Sequence, residues 1–446
     1  MTNQSRCAAS ILAIALSASV GADTRLVPSE YATIQAAINA SSPGDVVEVA
    51  PGLYTESLNL GGRGITVRST SGAAATVVDP VTGRCFTATG QKGPNARLEG
   101  FTLRGGSSSI GGGVYVSASS PTLVDCVIIG STATSSGGGV HVASGNPTLV
   151  NCTIAANQAS TQGGGIAVLG GSITLTGCTV VGNLLTSTSY SQGGGMYLSN
   201  STATVTGGEI RGNTALSGGG IYGGTLAITD CAITGNIANV TSGTGGGGIA
   251  GASVTIIGGS IADNTSNGDG GGLSDVAGQI NTCTIRGNTA SSNGGGLRTS
   301  GSLTLSGCIV EENHSAATGG AWYKSQGTAL IQNCQIRNNT ALSVGGLWLG
   351  SGLTTLLDST LCGNGTNTFG AWSDAGGNSL TAECGPFCTG DISGDGRVDA
   401  EDVSAVLGSW GSCQARECAA DLNGDDAVDG VDLGVLLVSW GQCPNP

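Results

Sequence analysis

The chain has few charged and few aromatic residues. Of its 446 residues, 10% are charged and 4% are aromatic, and lysine occurs only as Lys92 and Lys324. The formal net charge of −14 argues against nucleic acid and anionic membranes as partners, because both carry charge of the same sign. No apolar run, including residues 11–20, is long enough to span a bilayer. These absences predict neither a nucleic-acid-binding protein nor an inserted membrane protein.

Glycine, in contrast, is abundant, with 81 residues. It comes in runs that recur about every 24 to 30 residues between Gly111 and Trp372. A period of this size is typical of a solenoid, in which each unit buries its apolar face against its neighbours. The runs end at Gly113, Gly139, Gly165, Gly195, Gly220, Gly248, Gly272 and Gly296, and then shorten to pairs ending at Gly320 and Gly346 and to the single Gly370.

Each unit closes with the pattern C-x-[IV]-x-x-N. We expect the cysteines to point inward as stacked free thiols, because adjacent strand positions do not readily meet disulfide geometry. We expect the asparagines to form a buried ladder of amide hydrogen bonds. The cysteines are Cys126, Cys152, Cys178, Cys231, Cys283, Cys308 and Cys334, replaced in three units by Gly208, Gly259 and Ser359. The asparagines are Asn157, Asn183, Asn213, Asn236, Asn264, Asn288, Asn313, Asn339 and Asn364, and Ser131 takes the place of the first.

The apolar segments between these columns are short and alternate with period two, as Val114 and Val116 do. Such segments indicate strands, and strands stacked in register form an all-β parallel β-helix. We predict about 12 turns and a rod about 55 Å long at a strand spacing of about 4.8 Å. We assign residues 23–383 to this β-helix, with residues 23–60 as an N-terminal cap that contains a short amphipathic helix over residues 30–39.

Residues 1–22 have the features of a secretory signal. Arg6 precedes the apolar run, and the small residues that end at Ala22 suit cleavage before Asp23. Cys7 lies ahead of the apolar run, which argues against a lipoprotein anchor. We therefore expect a secreted protein that is extracellular or attached to a cell surface.

The most specific chemical motif follows Cys384, where two segments repeat at a spacing of 30 residues. Each matches a twelve-residue calcium loop, which needs oxygen donors at positions 1, 3, 5, 9 and 12 and a backbone carbonyl at position 7. Gly396 holds the sharp-turn position of the first loop, whereas Asp426 replaces that glycine in the second. The predicted Ca²⁺ ligands are Asp391, Ser393, Asp395, Arg397, Asp399 and Asp402 in the first loop and Asp421, Asn423, Asp425, Ala427, Asp429 and Asp432 in the second.

An amphipathic segment follows each loop, as in Val403, Val406, Leu407 and Trp410 and again in Leu433, Leu436, Leu437 and Trp440. This duplicated loop and helix resembles the type I dockerin module over about residues 388–443. The resemblance implies a small α-helical, EF-hand-like domain that folds with Ca²⁺ and docks to a cohesin-like receptor. The positions that the receptor reads in that family are Ala400/Glu401 and Gly430/Val431 here, which leaves the partner open. A calcium-stabilised tail without a partner is the alternative.

We assign residues 384–446 to this module, whose core is limited by its size. Two disulfides would stabilise so small a domain. The pairing that respects the duplication joins Cys388 to Cys443 and Cys413 to Cys418, and it leaves Cys384 for Cys362.

The glycine repeat resembles the pectin-lyase-like superfamily of right-handed β-helices over about residues 24–383, and its turns are similar to polymorphic outer-membrane protein repeats. That superfamily includes polysaccharide lyases and glycosidases, but a fold does not determine a function. Such enzymes need clustered carboxylates or a base placed to take a proton. Acidic and basic residues are sparse in the repeat, and the candidate catalytic residues are Asp275, Arg298, Lys324 and Asp374, with Tyr323 near them.

We assign no catalytic or metal-binding role to two further groups of polar residues. Arg286, Glu311 and Arg337 occupy one column on successive turns and predict a salt-bridge ladder on the surface. His141 and His314 lie too far apart along the rod to share a metal ion.

One column of the repeat, two residues after each glycine run, is predicted to point outward. It carries three of the five tryptophans. Aromatic faces with flanking polar groups suit sugar rings, so we predict that Trp322, Trp348 and Trp372 bind substrate. A ring stack that only stabilises the rod is the alternative. The column reads Tyr115, His141, Ala167, Tyr197, Tyr222, Ala250, Ser274, Arg298, Trp322, Trp348 and Trp372.

The sequence thus predicts a secreted, calcium-binding β-helix protein that binds polysaccharide or a cell-surface partner and docks through its C-terminal module. One alternative is a polysaccharide lyase or O-glycosyl hydrolase displayed by the same module. The other is a structural or adhesive surface protein. Binding is favoured over catalysis because acids and bases are so sparse in the repeat.

Overall fold

The structure is a computed structural model that describes residues 22–90, 96–240, 243, 245–384, 390–393, 397–412, 420–423, 425 and 427–442. Up to residue 384 the described chain forms a parallel β-solenoid of about 14 turns. The prediction of about 12 turns was too low, because the glycine-poor N-terminal segment and the irregular last strands also pair as turns. At about 4.8 Å per turn the rod is about 65 Å long.

A full turn contributes one strand to each of four parallel sheets, which the chain visits in the order A, B, D and C. Sheet A has 15 strands: Thr24–Val27, Val46–Val49, Thr66–Ser69, Arg97–Glu99, Thr122–Val124, Thr148–Val150, Ser172–Thr176, Thr202–Thr206, Thr225–Thr229, Ser253–Ile257, Ala277–Asn281, Leu303–Ser306, Ala329–Gln332, Thr354–Leu357 and Ser373–Asp374. Sheet B has 14: Gly52–Tyr54, Thr76–Val78, Thr102–Arg104, Val127–Ile129, Thr153–Ala155, Thr179–Val181, Glu209–Arg211, Ala232–Thr234, Ser260–Ala262, Thr284–Arg286, Ile309–Glu311, Gln335–Arg337, Thr360–Cys362 and Ser379–Leu380.

Sheet C, which follows each glycine run, has 13 strands: Leu58–Asn59, Phe86–Thr89, Val114–Ser117, Val140–Val142, Ile166–Val168, Met196–Leu198, Ile221–Tyr222, Ile249–Ala250, Leu273–Ser274, Leu297–Thr299, Trp322–Lys324, Leu347–Leu349 and Thr368–Phe369. Sheet D has ten: Ser107–Ile110, Thr132–Ser136, Gln158–Ala159, Leu184–Leu185, Thr214–Ala215, Ile237–Ala238, Thr265–Ser266, Thr289–Ala290, His314–Ser315 and Thr340–Ala341.

The N-terminal end of the rod is covered by helix α1 (Ile34–Ala40), as the sequence predicts. The side chain of Thr33 caps the helix by accepting a hydrogen bond of 3.1 Å from the backbone N–H of Ala36. Ile34 and Ile38 are buried in the core of the rod, so the helix closes an end that would otherwise expose apolar side chains to water.

The interior contains the predicted thiol and amide columns. All seven cysteines of the repeat are free and buried, together with Cys85. The asparagines form a continuous ladder: the side-chain N–H of Asn264 donates to Asn288 Oδ1 at 2.9 Å and to the carbonyl of Ile233 at 2.8 Å. The glycine run is explained by the same column, because a Cβ on Gly272 would lie 2.7 Å from the carbonyl oxygen of Gly296 and 3.0 Å from Asn288 Cγ.

One sequence prediction, the disulfide of Cys384 with Cys362, is confirmed, and the predicted salt-bridge ladder is supported for the pair of Glu311 and Arg337. Arg286, Glu311 and Arg337 pair in register on successive strands of sheet B, and Arg337 Nε lies 2.8 Å from Glu311 Oε2. Cys362 and Cys384 form a disulfide that ties the last turn of the rod to the segment that follows it.

The C-terminal segment contains two equivalent short helices, α2 (Ala400–Gly408) and α3 (Gly430–Val438). Two antiparallel strand pairs link the copies reciprocally: Arg397–Val398 with Gly441–Gln442, and Gly411–Ser412 with Ala427–Val428. Val398, Val406, Val428 and Leu436 form a small separate core. These are short elements, and a helical dockerin domain stays a prediction.

Several sequence predictions concern residues that the structure does not describe. The signal segment lies outside the described residues up to position 21, and so do Asp395, Gly396, Asp426 and the pairs proposed for Cys388, Cys413, Cys418 and Cys443. In the part of the chain that is described, no helix is long and apolar enough to cross a membrane.

Candidate functional site

The strand register of sheet C defines one column of side chains that alternate with the core-facing ones, which we call the outward column. Five of its members are nevertheless buried, namely His141, Ala167, Tyr197, Ala250 and Ser274. Each member pairs with the next across successive turns, and its strand neighbours point into the core. Its members are Thr87, Tyr115, His141, Ala167, Tyr197, Tyr222, Ala250, Ser274, Arg298, Tyr323, Trp348 and Phe369.

The predicted outward position of Trp322 is wrong. Trp322 pairs with the inward residue Leu297, is 0% exposed, and donates from Nε1 to Thr299 Oγ1 at 2.8 Å. The reason is that Ala321 takes the place of the third glycine of the run, because Gly296 lies against the carbonyl of Ala321 in the next turn. The following strand is therefore shifted by one residue, and one residue along a strand reverses the face.

Trp372 is also absent from the outward column. The last strand of sheet C is Thr368–Phe369, which precedes Gly370, whereas the earlier strands follow their glycines. Phe369 therefore holds the outward position, and Trp372 packs, partly buried, against the C-terminal end of the core. Of the three predicted tryptophans, Trp348 alone lies in the column.

The C-terminal part of the column nevertheless presents three aromatic rings in succession. The rings of Tyr323 and Trp348 are stacked with centroids 4.3 Å apart and planes 14° from parallel. Trp348 is stacked in turn on Phe369, at 6.2 Å and 18°, and Phe369 is 56% exposed. We call these three residues the C-terminal platform.

Two further ring pairs lie nearer the N-terminus of the column. Tyr197 and Tyr222 stack with centroids 5.9 Å apart and planes 10° from parallel. Tyr115 and His141 stack at 5.8 Å, and the guanidinium of Arg84 lies 4.7 Å from the centre of the Tyr115 ring. Burial lowers the pKa of His141 to about 4, so its ring is neutral at pH 7.

Charged side chains interrupt the rings in the middle of the column. Arg298 forms an ion pair through Nη1 with Asp275, and its Nε lies 3.6 Å from Asp269 Oδ2. Asp275 also accepts a hydrogen bond of 2.8 Å from Ser300 Oγ. Beside Arg298 in the column, the hydroxyl of Ser274 is buried and has no hydrogen-bond partner. Asp269 was missed in the sequence because it lies in the loop before the glycine run, outside every column.

The other two candidate catalytic residues do not join this group. Lys324 is 0% exposed, and its ammonium donates to the carbonyls of Gly327 at 2.9 Å and Ser351 at 2.8 Å. Burial lowers the pKa of Lys324. Asp374 belongs to sheet A, and hydrogen bonds from the Gly376 N–H and the Asn378 side chain lower its pKa. The four residues therefore do not form one acid–base cluster.

The two calcium-loop segments have matching geometry where they are described. The carboxylates at position 12, Asp402 and Asp432, are buried and accept backbone N–H groups from positions 2, 3 and 9 of their own loops. The hydrogen bond from the Asp429 N–H is the main cause that lowers the pKa of Asp432. These bonds draw both ends of each loop around one centre.

The side chains of the second loop also converge. The backbone N–H of Asp425 donates to Asp421 Oδ1 at 3.2 Å, and Asn423 Nδ2 lies 2.9 Å from Asp425 Oδ2. Carboxylate and amide oxygens are the donors that Ca²⁺ prefers, so this set of residues fits the ion chemically. No group of three or more His, Cys, Asp or Glu that could hold a metal ion is found among the described residues, which include Asp421, Asp425, Asp429 and Asp432 but not Asp395.

The match to a family model agrees with the fold. A family model described as a right-handed β-helix region matches residues 88–261, which confirms the predicted right-handed parallel β-helix. No curated protein matches the chain. Among solved structures, the chain is similar to the A-module of mannuronan C-5 epimerase AlgE6 from Azotobacter vinelandii, with 14% identity, 78% of this chain and 94% of that chain covered, and a TM-score of 0.41.

Proposed function

We propose that the rod binds polysaccharide on the outward column of sheet C. The observation that carries this proposal is the C-terminal platform, where Tyr323, Trp348 and Phe369 stack on three successive turns of the outer surface. A contiguous aromatic strip on a soluble protein is typical of a binding surface, because its contact with water is unfavourable. Sugar rings have apolar C–H faces that pack on such rings, and their hydroxyl groups bond to polar neighbours.

The scaffold suits this task because it is rigid before the ligand arrives. Each ring is fixed to a strand that is hydrogen-bonded on both sides or ends the sheet. Binding therefore costs little ordering of the protein, which favours affinity for a given contact area. The rings follow the rod axis at about 4.8 Å per turn, so an extended chain of sugars can lie along them.

Binding is proposed over catalysis because the candidate acids and bases are already engaged. Arg298 is paired with Asp275, and the ammonium of Lys324 is held by backbone carbonyls inside the rod. A general base must reach the proton that it removes, and neither cation has that freedom. A lyase or hydrolase remains the second reading, and release of product from a bound polysaccharide is the observation that would favour it.

Trp348→Ala is expected to weaken polysaccharide binding by about tenfold or more, because a central aromatic anchor contributes strongly to such a surface. The loss is measured by affinity electrophoresis of the full chain in gels that contain neutral or uronate polysaccharides. Trp410→Ala is the matched control, since Trp410 is 51% exposed but lies in the C-terminal segment. Equal retention of the wild type and Trp348→Ala would refute the role of the platform.

We further propose that the C-terminal segment binds Ca²⁺ and docks the rod to a cohesin-like partner. Support comes from the two loops with matched position-12 carboxylates and from the reciprocal strand pairs that join the copies. In the second loop, the carboxylates of Asp421 at position 1 and Asp425 at position 5 would hold the ion. This loop keeps these oxygen donors although Asp426 replaces its sharp-turn glycine. The apolar side chains exposed on the helices, such as Leu407 and Leu437, would meet the partner.

Ca²⁺ at 100 times its dissociation constant is expected to stabilise the C-terminal segment by about 2.7 kcal/mol. Thermal unfolding of the full chain, followed by tryptophan fluorescence with Ca²⁺ or with a chelator, measures the shift. Asp421→Ala is expected to reduce the shift, whereas Glu401→Ala, an exposed acid outside the predicted ligand set, is expected to leave it unchanged. No shift in the wild type, or an equal loss in both variants, would contradict the proposed sites.

We propose that the protein works outside the cell. The N-terminal residues have the pattern of a secretory signal. The disulfide between Cys362 and Cys384 supports an oxidising compartment, where such bonds form and persist.

A further inference from the structure

A second aromatic group lies on the outward column, toward the N-terminus from the C-terminal platform. Tyr197, which is 9% exposed, and Tyr222 stack on successive turns, and Tyr190 acts on both from the longest turn of the repeat. Tyr190 is 49% exposed, and its hydroxyl donates to Gln192 Oε1 at 2.6 Å. Burial and then the proximity of Tyr190 raise the pKa values of Tyr197 and Tyr222, so both hydroxyl groups stay protonated at neutral pH.

The surroundings of these tyrosines suit an uncharged ligand. Among the described residues, the hydrogen bonds and ring contacts of the three tyrosines include no lysine or arginine. The carboxylate of Asp275 contributes to the raised pKa of Tyr222, and Arg298 is already held by Asp275 and Asp269. A uronate would therefore meet negative charge without a free cation to balance it, whereas a neutral sugar would meet rings, hydroxyl groups and an amide.

The stretch between the two aromatic groups carries two small, buried side chains and one arginine. It consists of Ala250, Ser274 and Arg298 on three successive turns. Four turn spacings separate Tyr222 from Tyr323, which is about 19 Å. Ala250 and Ser274 are 2% and 0% exposed, so they place no side chain in the way of a ligand that lies on the rod. This stretch can therefore pass a polysaccharide chain from one aromatic group to the other.

We propose that Tyr190, Tyr197 and Tyr222 form a second saccharide site, selective for neutral sugars, and that one extended polysaccharide chain occupies it together with the C-terminal platform. This inference rests on the proposed function of that platform. A chain held at one site is presented to the other at high effective concentration, so the two sites reinforce each other only for ligands long enough to span them. A trisaccharide is too short to span the two sites, so each site then binds its own trisaccharide molecule.

The test is isothermal titration calorimetry of the full chain with two kinds of neutral probe, a trisaccharide and a soluble polymer of the same sugars. Both kinds are taken from the glucomannan series and from the arabinoxylan series. The wild type is expected to bind two trisaccharides. Tyr222→Ala is expected to bind one and to lose at least tenfold in affinity for the polymer. Tyr190→Ala, a change on an exposed loop, is expected to weaken the same site, and the thermal midpoints of both variants report whether they are folded.

The outcomes separate this inference from the proposed function. If Trp348→Ala loses binding while folded Tyr222→Ala and Tyr190→Ala bind the polymer like the wild type, the second site is refuted and the platform stands. If the wild type binds no saccharide, both are refuted. If polygalacturonate or alginate binds at the tyrosines in preference to neutral polymers, the assigned class of ligand is wrong.

Discussion

Replacing Asn264 with alanine is expected to lower the free energy of unfolding of the rod by about 4 kcal/mol, because each buried polar group left unsatisfied costs about 1–3 kcal/mol. Asn264 makes four hydrogen bonds inside the coil. Its Nδ2 donates to Ile233 O and Asn288 Oδ1, and its Oδ1 accepts the backbone and side-chain N–H groups of Asn236, both at 3.0 Å. Alanine would remove the partner of the Asn236 donors and of the Ile233 carbonyl on the preceding turn, and one partner of Asn288 Oδ1 on the following turn.

The midpoint of guanidinium unfolding, followed by circular dichroism, measures this loss. Asn267→Ala is the matched control, because Asn267 is an exposed asparagine three residues away with one long side-chain contact, 3.4 Å to Asn239. It is expected to change stability by less than about 0.5 kcal/mol. Similar effects of the two substitutions would show that the amide ladder does not hold the turns together.

Trp322→Ala is expected to destabilise the rod by about 4 kcal/mol, as is usual when a buried tryptophan is truncated. Trp322 is the largest fully buried side chain, and its indole N–H donates to Thr299 inside the core. Alanine would leave a cavity between turns and an unpaired hydroxyl. Because Trp322 lies beneath the outward column, any effect on saccharide binding should follow from loss of the folded state.

Comparing Trp322→Ala with Trp348→Ala separates packing from binding. Both remove a tryptophan from adjacent turns of sheet C, but one side chain points inward and the other outward. Trp322→Ala should lower the thermal midpoint strongly, and Trp348→Ala only slightly. If Trp348→Ala were the more destabilising, or if folded Trp322→Ala lost saccharide binding, the strand register would be wrong at this turn.

The architecture was predictable because each structural column repeats one residue type. A cysteine and an asparagine five residues apart that recur after each glycine run indicate stacked turns of a coil, and the ladder through Asn264 and Asn288 confirms that interpretation. The disulfide from Cys362 to Cys384 was predictable by pairing off the other cysteines near the C-terminus.

The outward column was harder to predict where the repeat decays. Gly319 and Gly320 fill the first two positions of the run, whereas Gly345 and Gly346 fill the last two. A pair of glycines does not reveal which of the three glycine positions carries another residue. The prediction was wrong by one residue at this turn, so it placed Trp322 outward although its side chain points inward. Only the pairing of neighbouring turns resolves this ambiguity.

Residues outside the columns could not be placed from the sequence at all. Tyr190 and Asp269 lie in loops of variable length, so no period relates them to the strands, yet both lie beside the outward column. Lys324 was predicted as a candidate catalytic residue, but the same shift of one residue that buries Trp322 also buries Lys324.

The most direct test of the account is retention of the full-length protein by neutral polysaccharides in affinity electrophoresis, with Trp348→Ala beside the wild type and thermal midpoints for both. We predict that the wild type is retarded, that folded Trp348→Ala is retarded clearly less, and that Trp410→Ala behaves like the wild type. Retention of Trp348→Ala equal to that of the wild type, or no retention of the wild type across the panel, would contradict it.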